Sequence, residues 1–550
     1  MEKTVSPETN FEVVCRRVAE RVVENNITDT ETIEKIKREE CSSVPDIKKF
    51  PKHKDIIQNA PEQSRDFIKD ALQRKPVRTS SGVSPVAIMT SPEMCPHGKC
   101  LYCPGGPASE FSSSQAYTGH EPAAARGKHT EYDPYLQTFL RLEQLRNIGH
   151  PVDKVELIVM GGTMTARSHD YQLWFVKRAL QAMNEYSLDE EPNPSNPERH
   201  FNPEQYEWEY LEDVKTKNET ADVRCIGITF ETKPDWCGTE QIDRMLRLGG
   251  TKTELGVQTT YERINREMHR GHGVEASMNA NKQLRDAGFK VGFHMMPGQP
   301  GMSKEMNVQD FTEIFSRNEW KPDYLKIYPT LVVEGTRVYD WWHNDEFEPL
   351  SNEEAADVVA RAMKQTPRYT RIQRVQRDIP ADFIEGGVWK SNLRQLAWQK
   401  LEENEWECNC IRCREVGHND EEPENIDIDT LKYDASNGTE YFISIEDFNK
   451  DLLIGFCRLR IPDSPHRKEI TENVGVIREL HVYGSQVTLD GTENEWQHEG
   501  YGKTLINKAE QIAKRNSCDK LTVISGIGVR NYYRQKLGYY QDGPYVSRKI

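Results

Sequence analysis

The chain has 550 residues, with 72 Lys and Arg against 88 Asp and Glu and a formal net charge of −16. This length predicts three or four domains and is ample for more than one hydrophobic core. No apolar run approaches the roughly 18 residues of a membrane helix. Charges also interrupt the N-terminal stretch, where a signal peptide needs an apolar segment. The composition therefore excludes a membrane-spanning protein and predicts a cytoplasmic one.

Residues 1–78 are predicted to form a helical, basic region. Apolar residues recur at Phe11, Val14, Val18 and Val22, which is the spacing of one helix face. Between residues 48 and 78, nine basic residues stand against four acidic ones. The overall acidity argues mildly against a nucleic-acid partner, although net charge says little about a local patch. A solvated helix face is the simpler interpretation of this segment, and phosphate binding is the alternative.

Residues 79–395 are predicted to form parallel βαβ units, because β-rich runs alternate with helix-like stretches. The runs are nearly continuously apolar, which predicts a sheet covered on both faces. The β-rich runs are residues 83–90, 155–160, 223–231, 253–258, 290–297 and 323–329.

Three cysteines, Cys95, Cys100 and Cys103, lie within the nine residues CPHGKCLYC. Four thiolates complete a [4Fe–4S] cluster that only carries electrons. Three thiolates leave one iron open, and the amino and carboxylate groups of S-adenosylmethionine can fill that position. A zinc knuckle, or a ferredoxin-like site completed by Cys225 or Cys237, also fits the spacing alone.

The position of this cysteine loop favours the open cluster. The loop follows the first predicted strand at its C-terminal end, where barrel enzymes place their chemistry. The second strand ends in Gly161 and Gly162, which let backbone approach a ligand closely, as the methionine moiety requires. Together these features predict a radical S-adenosylmethionine (SAM) domain with a partial (β/α) barrel.

A second cysteine group lies in residues 396–430, which are predicted to be a zinc-binding linker. Cys408, Cys410 and Cys413 have the spacing of metal ligands, and His418 is placed to complete a tetrahedron. A closed four-ligand zinc site is structural rather than catalytic. Free thiols are the alternative.

Residues 431–550 are predicted to form an α+β domain of the GNAT acetyltransferase class. QHEGYG (497–502) precedes an amphipathic helix, and backbone N–H groups at such a helix start can bind the pyrophosphate of coenzyme A. An ordinary tight turn is the alternative. Tyr532 and Tyr533 are adjacent on a predicted helix, so at least one of them should face a ligand rather than the core.

From about Lys75 to the C-terminus the chain resembles the catalytic subunit of Elongator, and more closely its stand-alone homologues. The resemblance is carried by KPVRTSSGV, CPHGKCLYC, VDKVELIVMGGT, GITFETKPDWC, ELGVQTT, HMMPGQPG, LKIYPT, QRDIPA, RELHVYG and RNYYRQKLGY. It implies a tRNA uridine(34) acetyltransferase that forms 5-carboxymethyluridine at the wobble position from acetyl-CoA. It further implies a tRNA partner and an unidentified electron donor; we expect a monomer or homodimer.

The resemblance assigns roles to individual residues. Cys95, Cys100 and Cys103 match the cluster ligands, and Gly161 and Gly162 are expected beside SAM. The acetyl-CoA contacts it implies are Lys154, Glu479, Leu480, His481, Val482, Tyr501, Gly502, Lys503 and Tyr533. Catalytic roles are expected for Lys154, Tyr532 and Tyr533. The basic residues expected to contact tRNA are Lys48, Lys49, Lys52, Lys54, Arg74, Lys75 and Arg78.

Two other functions stay open from the sequence. The GNAT domain could acetylate a protein lysine while the cluster is structural, or the chain could be a tRNA-binding scaffold with degenerate sites. The intact cysteines, the glycine loop and both tyrosines argue against a scaffold. If both halves act together, a deoxyadenosyl radical would remove a hydrogen from the acetyl methyl group, and the resulting carbon radical would add to C5 of uridine.

Overall fold

The computed structural model describes residues 9–45, 47, 50–72, 82–188, 209–419, 421–483 and 500–550. Within these ranges, none of the helices has the length and apolar character needed to cross a membrane. Most of the basic residues expected to contact tRNA lie outside the described residues. These are Lys48, Lys49, Arg74, Lys75 and Arg78, and for Lys54 only the backbone is described.

The N-terminal region is helical, as predicted. Its helices are α1 (Asn10–Glu24), α2 (Thr30–Ser43), α3 (His53–Asn59) and α4 (Arg65–Leu72). Helix α1 starts with a capping box in which Thr9 and Glu12 satisfy each other's backbone N–H groups. Val14, Val18 and Val22 are fully buried in a core that these helices share, which confirms the apolar periodicity.

Seven parallel strands then form one open sheet in chain order. They are β1 (Ser84–Met89), β2 (Lys154–Met160), β3 (Arg224–Thr232), β4 (Lys252–Gln258), β5 (Lys290–Met295), β6 (Tyr324–Ile327) and β7 (Arg371–Val375). Because β1 and β7 stand at opposite edges of the sheet order, the barrel is partial, as predicted. Strand β7 was missed because RIQRV has only two apolar residues among polar ones.

Between and after these strands lie the helices of the domain, several of which pack on the outer face of the sheet. They are α5 (Pro122–His129), α6 (Pro134–Asn147), α7 (His169–Glu185), α8 (Glu209–Asn218), α9 (Thr239–Arg247), α10 (Glu262–Glu267), α11 (Val274–Asp286), α12 (Lys304–Ser316), α13 (Arg337–His343), α14 (Asn352–Gln365), α15 (Leu393–Glu403) and α16 (Ile411–Arg414). In β2, Val155, Leu157 and Val159 are buried under them, whereas the alternate residues are half-buried. The inner face, by contrast, carries charged residues such as Glu156 and Lys252, which line a cavity.

The C-terminal domain is a second seven-stranded sheet, in the order β13-β14-β12-β11-β10-β9-β8. Its elements are β8 (Ile426–Ala435), β9 (Gly438–Asp447), β10 (Leu452–Ile461), β11 (Val474–Val482), α17 (Tyr501–Arg515), β12 (Lys520–Val523), β13 (Tyr540–Asp542) and β14 (Tyr545–Lys549). Strand β8 begins inside residues 396–430, where a linker was expected. Its acidic residues occupy the exposed alternate positions of an edge strand, which explains why they resembled a linker.

A buried ionic network joins the two domains. The carboxylate of Asp323, just before β6, accepts two hydrogen bonds from the guanidinium of Arg478 in β11, at 2.6 and 2.8 Å. Arg478 also pairs with Glu440 of β9 at 2.9 Å, and Glu440 pairs with Arg285 of α11 at 3.0 Å. All four side chains are at most 1% exposed, so each charge depends on its partners.

We expect Asp323→Asn to lower the free energy of unfolding by about 3–5 kcal/mol, because it leaves buried arginines without their counter-charge. Urea denaturation followed by fluorescence measures the change. The control is Asp340→Asn, which removes an exposed ion pair with Arg337 and should change stability by no more than about 0.5 kcal/mol. Equal urea midpoints for Asp323→Asn and the unaltered protein would contradict the prediction.

Candidate active sites at the two ends of the barrel

The three cysteines of the first cluster converge on one cavity at the carboxyl end of the parallel strands. Cys95, Cys100 and Cys103 all line this cavity, which we call the cluster pocket. Two tight turns shape the loop, since the N–H of Gly98 donates to the carbonyl of Cys95 at 2.9 Å, and the N–H of Cys103 to that of Cys100 at 3.0 Å. The loop therefore presents three sulfurs to one space.

Donors surround the sulfur atoms. The backbone N–H of Ala116 donates to Cys103 Sγ at 2.9 Å, and Arg270 donates to Cys100 Sγ at 3.6 Å. Burial, with Lys233 and Arg270 nearby, lowers the pKa of His97 to about 4. His97 is therefore neutral at pH 7, and with its proton on Nε2 it donates to Cys100 Sγ at 3.2 Å. These donors suit sulfurs that carry negative charge.

The residues fit a cluster with one open iron. Neither Cys225 nor Cys237 lines the cluster pocket, and both thiols are buried in the core of the barrel. The structure therefore argues against a ferredoxin-like site in which Cys225 or Cys237 supplies the fourth thiolate. Burial raises the pKa of Cys103 to about 12, so its thiolate requires a metal ion to displace the proton.

The two glycines after β2 have different surroundings. Gly162, with φ +67°, lines the cluster pocket, and a side chain there would approach Cys95 Sγ. Gly161, with φ +117°, lies against Thr90, and an added Cβ would fall 2.2 Å from its hydroxyl oxygen. Gly162 thus leaves room in the cavity, whereas Gly161 is required by contact with the neighbouring strand end.

A second cavity lies at the opposite, amino end of the barrel strands and is walled by both domains; we call it the acyl pocket. The barrel contributes Glu156 and Tyr324, and the C-terminal domain contributes Glu479, His481 and Tyr533. Tyr324 donates a short hydrogen bond to Glu479 across the domain boundary. The pocket therefore exists only because the two domains pack together.

Strands β11 and β12 separate beside this pocket. They pair over residues Val474–Ile477, while β11 continues to Val482 with β10 on its other side. Within the described chain, β12 therefore does not pair with residues 479–481, beside which an extended ligand can bind as an added strand. Leu480 approaches the start of α17 here.

The start of helix α17 has the features expected of an anion site. Gly500 is its N-cap, with φ +83°, and residues 484–499, including the start of QHEGYG, lie outside the described residues. The hydroxyl of Tyr532 lies beside Gly502, 3.4 Å from where a Cβ would stand. Lys503 is exposed in the first turn. The N–H groups of the first turn and this lysine suit a phosphate-bearing ligand.

The two tyrosines divide as expected. Tyr533 is 6% exposed and lines the acyl pocket, whereas Tyr532 is 36% exposed. The segment is a π-helix over Tyr532–Lys536, an irregular turn that is frequent at functional sites.

The carboxylate of Glu479 in the acyl pocket has a second partner besides Tyr324, because it also accepts a hydrogen bond from Arg458 at 2.8 Å.

Lys154 begins β2 and so lies at the amino end of the sheet, on the side of the acyl pocket. Met160, which lines the cluster pocket, is six positions further along the strand, about 20 Å away. Burial lowers the pKa of Lys154. Lys154 is therefore too far from the cluster pocket to act there, and it lies on the side of the acyl pocket without lining it.

The second cysteine group is brought together at the domain junction. The sulfurs of Cys408, Cys410 and Cys413 lie within 4.8 Å of one another. His418 lies outside this group and instead pairs with Glu415 at 2.6 Å. Glu415 in turn binds Arg371 of β7, which links the cysteine segment to the wall of the acyl pocket.

Several residues of both pockets were missed by the sequence reasoning. Arg270, Tyr117 and Glu231 line the cluster pocket, and Lys290 and Tyr324 line the acyl pocket. The available signal was polar residues at alternate positions of otherwise apolar strands, as in β4 and β6.

Profiles of known families match most of the chain. The "Radical SAM superfamily" matches residues 89–312 and the "Radical_SAM C-terminal domain" residues 322–403. The "Acetyltransferase (GNAT) family" matches residues 398–539, and the "ELP3 N-terminal domain" residues 11–80. Together with the two pockets, these matches define a radical SAM protein fused to a GNAT acetyltransferase domain.

Full-length relatives narrow the class. The chain is 45% identical over 548 residues to a "tRNA uridine(34) acetyltransferase" of Methanocaldococcus jannaschii, covering 98% of this chain and 97% of the relative. It is 40% identical to "Elongator complex protein 3" of Saccharomyces cerevisiae, covering 92% and 89%. An N-terminally deleted structure of Methanocaldococcus infernus Elp3 superimposes with a TM-score of 0.73 at 43% identity, covering 86% of this chain and 100% of that one. The chain belongs to the Elp3 family.

Proposed function

We propose that the protein forms 5-carboxymethyluridine at the tRNA wobble position from acetyl-CoA, using SAM as the radical source. The observation that carries the proposal is the pairing of a three-cysteine pocket and an acyl pocket at opposite ends of one barrel. The names of the archaeal relatives support the substrate. A lysine acetyltransferase would have no use for the cluster pocket.

The cluster pocket would hold a [4Fe–4S] cluster on Cys95, Cys100 and Cys103. When bound, the cluster supplies one electron that cleaves SAM to a 5′-deoxyadenosyl radical. In our proposal His97 and Arg270 stabilise the Cys100 thiolate by donating to its sulfur. Gly162 leaves space for the methionine end of SAM beside Cys95.

In the acyl pocket, acetyl-CoA would lie along residues 479–482 of β11, with its pyrophosphate at the start of α17. Lys503 and Lys154 supply positive charge at the two sides of this ligand. Tyr532 and Tyr533 present one exposed and one pocket-lining ring. We propose that Tyr533 contacts the acyl end and that Tyr532, beside Gly502, contacts the coenzyme.

The tRNA would bind through the basic residues between positions 48 and 78, of which Lys52 is exposed just before α3. Phosphate contacts release counterions, so affinity should fall steeply with salt. We propose a cytoplasmic enzyme, monomeric or homodimeric, that receives electrons from a low-potential one-electron donor. Zinc would bind Cys408, Cys410 and Cys413, with the fourth ligand from His418 after it leaves Glu415, or from solvent.

Replacing Cys103 by Ser should abolish iron binding, because the cluster would lose one of its three thiolates. Anaerobic reconstitution followed by iron and sulfide analysis measures this. Cys237→Ser is the matched control, since this buried cysteine does not line the pocket, and it should retain iron. Equal iron content in the two variants, or zinc without iron in the unaltered protein, would contradict the proposed cluster.

Replacing Cys410 by Ser should remove zinc and lower the melting temperature, because metal affinity at a structural site is folding free energy. Metal analysis and calorimetry on the same sample test this. The control is Cys518→Ser, which changes a buried thiol of the GNAT domain remote in sequence from the cysteine group. A Cys410→Ser protein that melts normally without zinc would show that the site is not structural.

The acetyl methyl group should be the source of the hydrogen in 5′-deoxyadenosine. The test uses methyl-deuterated acetyl-CoA, incubated anaerobically with the protein, a reductant, SAM and tRNA. Mass spectrometry should find deuterium in 5′-deoxyadenosine and a carboxymethyl group on the wobble uridine. Unlabelled 5′-deoxyadenosine beside modified uridine would mean that the hydrogen comes from elsewhere.

A further inference from the structure

Each of several barrel strands has one row of residues facing the lumen, and these rows connect the two pockets. Alternate residues of a strand share one face. In β4, Lys252 lines the acyl pocket, whereas Glu254, Gly256 and Gln258 line the cluster pocket. Two strand residues span about 6.6 Å, so along this row a single layer of side chains separates the pockets.

The same order recurs in other strands. In β2, Ile158 lines the acyl pocket and Met160 lines the cluster pocket. In β5 the sequence runs from Lys290, at the acyl pocket, to His294 at the cluster pocket. The lumen is therefore bounded by the acyl pocket at its amino end and by the cluster pocket at its carboxyl end.

The layer between the pockets is ionic. Lys252 pairs with Glu156 at 3.2 Å and with Glu254 at 3.1 Å. Lys326 pairs with Glu231 at 3.1 Å and also with Glu254. Bulky branched residues fill the lumen of ordinary barrels, and buried ion pairs are weak sources of stability. A role other than stability is therefore indicated for this layer.

The layer does not have the character of a metal site. Oxygen and nitrogen atoms of Glu231, Glu254 and His294 lie within 4.8 Å of one another. The ammonium of Lys326, however, already lies against both carboxylates. Burial alone would raise the pKa of Glu254, but Lys326 and Lys252 lower it well below its usual value. Lysine occupies the place that a cation would take.

Each lysine of the layer has two carboxylate partners on different strands. Lys252 lies between β2 and its own strand, and Lys326 lies between β3 and β4. Either ammonium can move toward one partner and keep an ion pair there. A layer of aliphatic side chains has no such second arrangement, because tight packing resists displacement.

We propose that the acetyl thioester end of acetyl-CoA passes from the acyl pocket to the cluster pocket through the barrel lumen, with the Lys252–Glu254–Lys326 layer as its gate. This rests on the proposed function, which requires the acetyl methyl group and the radical to meet. The flexible pantetheine arm carries the thioester, so no bond breaks during passage. The polar lumen accommodates its carbonyl oxygen.

Bulk placed on the acyl side of the gate tests the route. Ile158→Trp fills the lumen next to Met160. Uridine modification and deuterium transfer from methyl-deuterated acetyl-CoA should fall together by about tenfold or more, since displacement by 1 Å can cost about 100-fold in rate. Acetyl-CoA should still bind through its coenzyme end at the start of α17, which calorimetry measures, and iron content should be unchanged.

Two further variants make the result decisive. Gly227→Leu adds bulk to the lumen from β3, where a new Cβ meets only Thr251 Oγ1 at 3.1 Å, and should give the same loss. Ile148→Trp, at the end of α6, should modify uridine normally. Melting temperatures identify folded variants.

Normal modification by either folded lumen variant would overturn the lumen route, as would loss of acetyl-CoA binding in both. If the unaltered protein modifies no uridine, the proposed function fails instead.

Discussion

The bidentate pair between Arg478 and Asp323 is the contact on which the arrangement of both sites depends. Arg478 belongs to β11, and the next residues of that strand, from Glu479, line the acyl pocket. Asp323 immediately precedes β6, whose first residue, Tyr324, reaches across to Glu479. A buried ion pair gives little net stability, yet it is intolerant of misplacement. It therefore sets the register of the GNAT strand against the barrel.

Much of the architecture was predictable because local pattern and tertiary position agree. Buried parallel strands need apolar outer rows, and the runs of β1 to β6 carry them. Strand β7 does not, since it carries Arg371, which is held by the distant residue Glu415, and Arg374, which pairs with Asp378. Strand β8 is an edge strand with acidic residues facing solvent, so its composition resembles a linker. In both cases tertiary context overrode composition.

The residues of the candidate sites likewise include some that the sequence predicts and others that it does not. The cysteine groups are local in sequence, and the structure brings each group together. Arg270 and Tyr324 reach their pockets only through folding. A single sequence carries no sign of which distant residues meet. Lys154 was expected to contact acetyl-CoA, and as the first residue of its strand it lies at the end of the parallel sheet opposite the cluster pocket. The direction of the strand, not its composition, decides at which end of the barrel its first residue lies.

The two faces of the barrel sheet have different roles, because the outer face packs against helices and the inner face carries paired charges. The outer row, with Val155, Leu157 and Val159, is fully buried under helices, and burial of such side chains contributes about 1.5–3 kcal/mol each. The inner row contains Lys252 and Glu254, whose burial costs energy unless they are paired. The outer core can offset that cost, so the lumen need not be filled with aliphatic residues. Because the apolar packing lies on the outer face, the inner face of the sheet can carry the polar residues that line the two pockets.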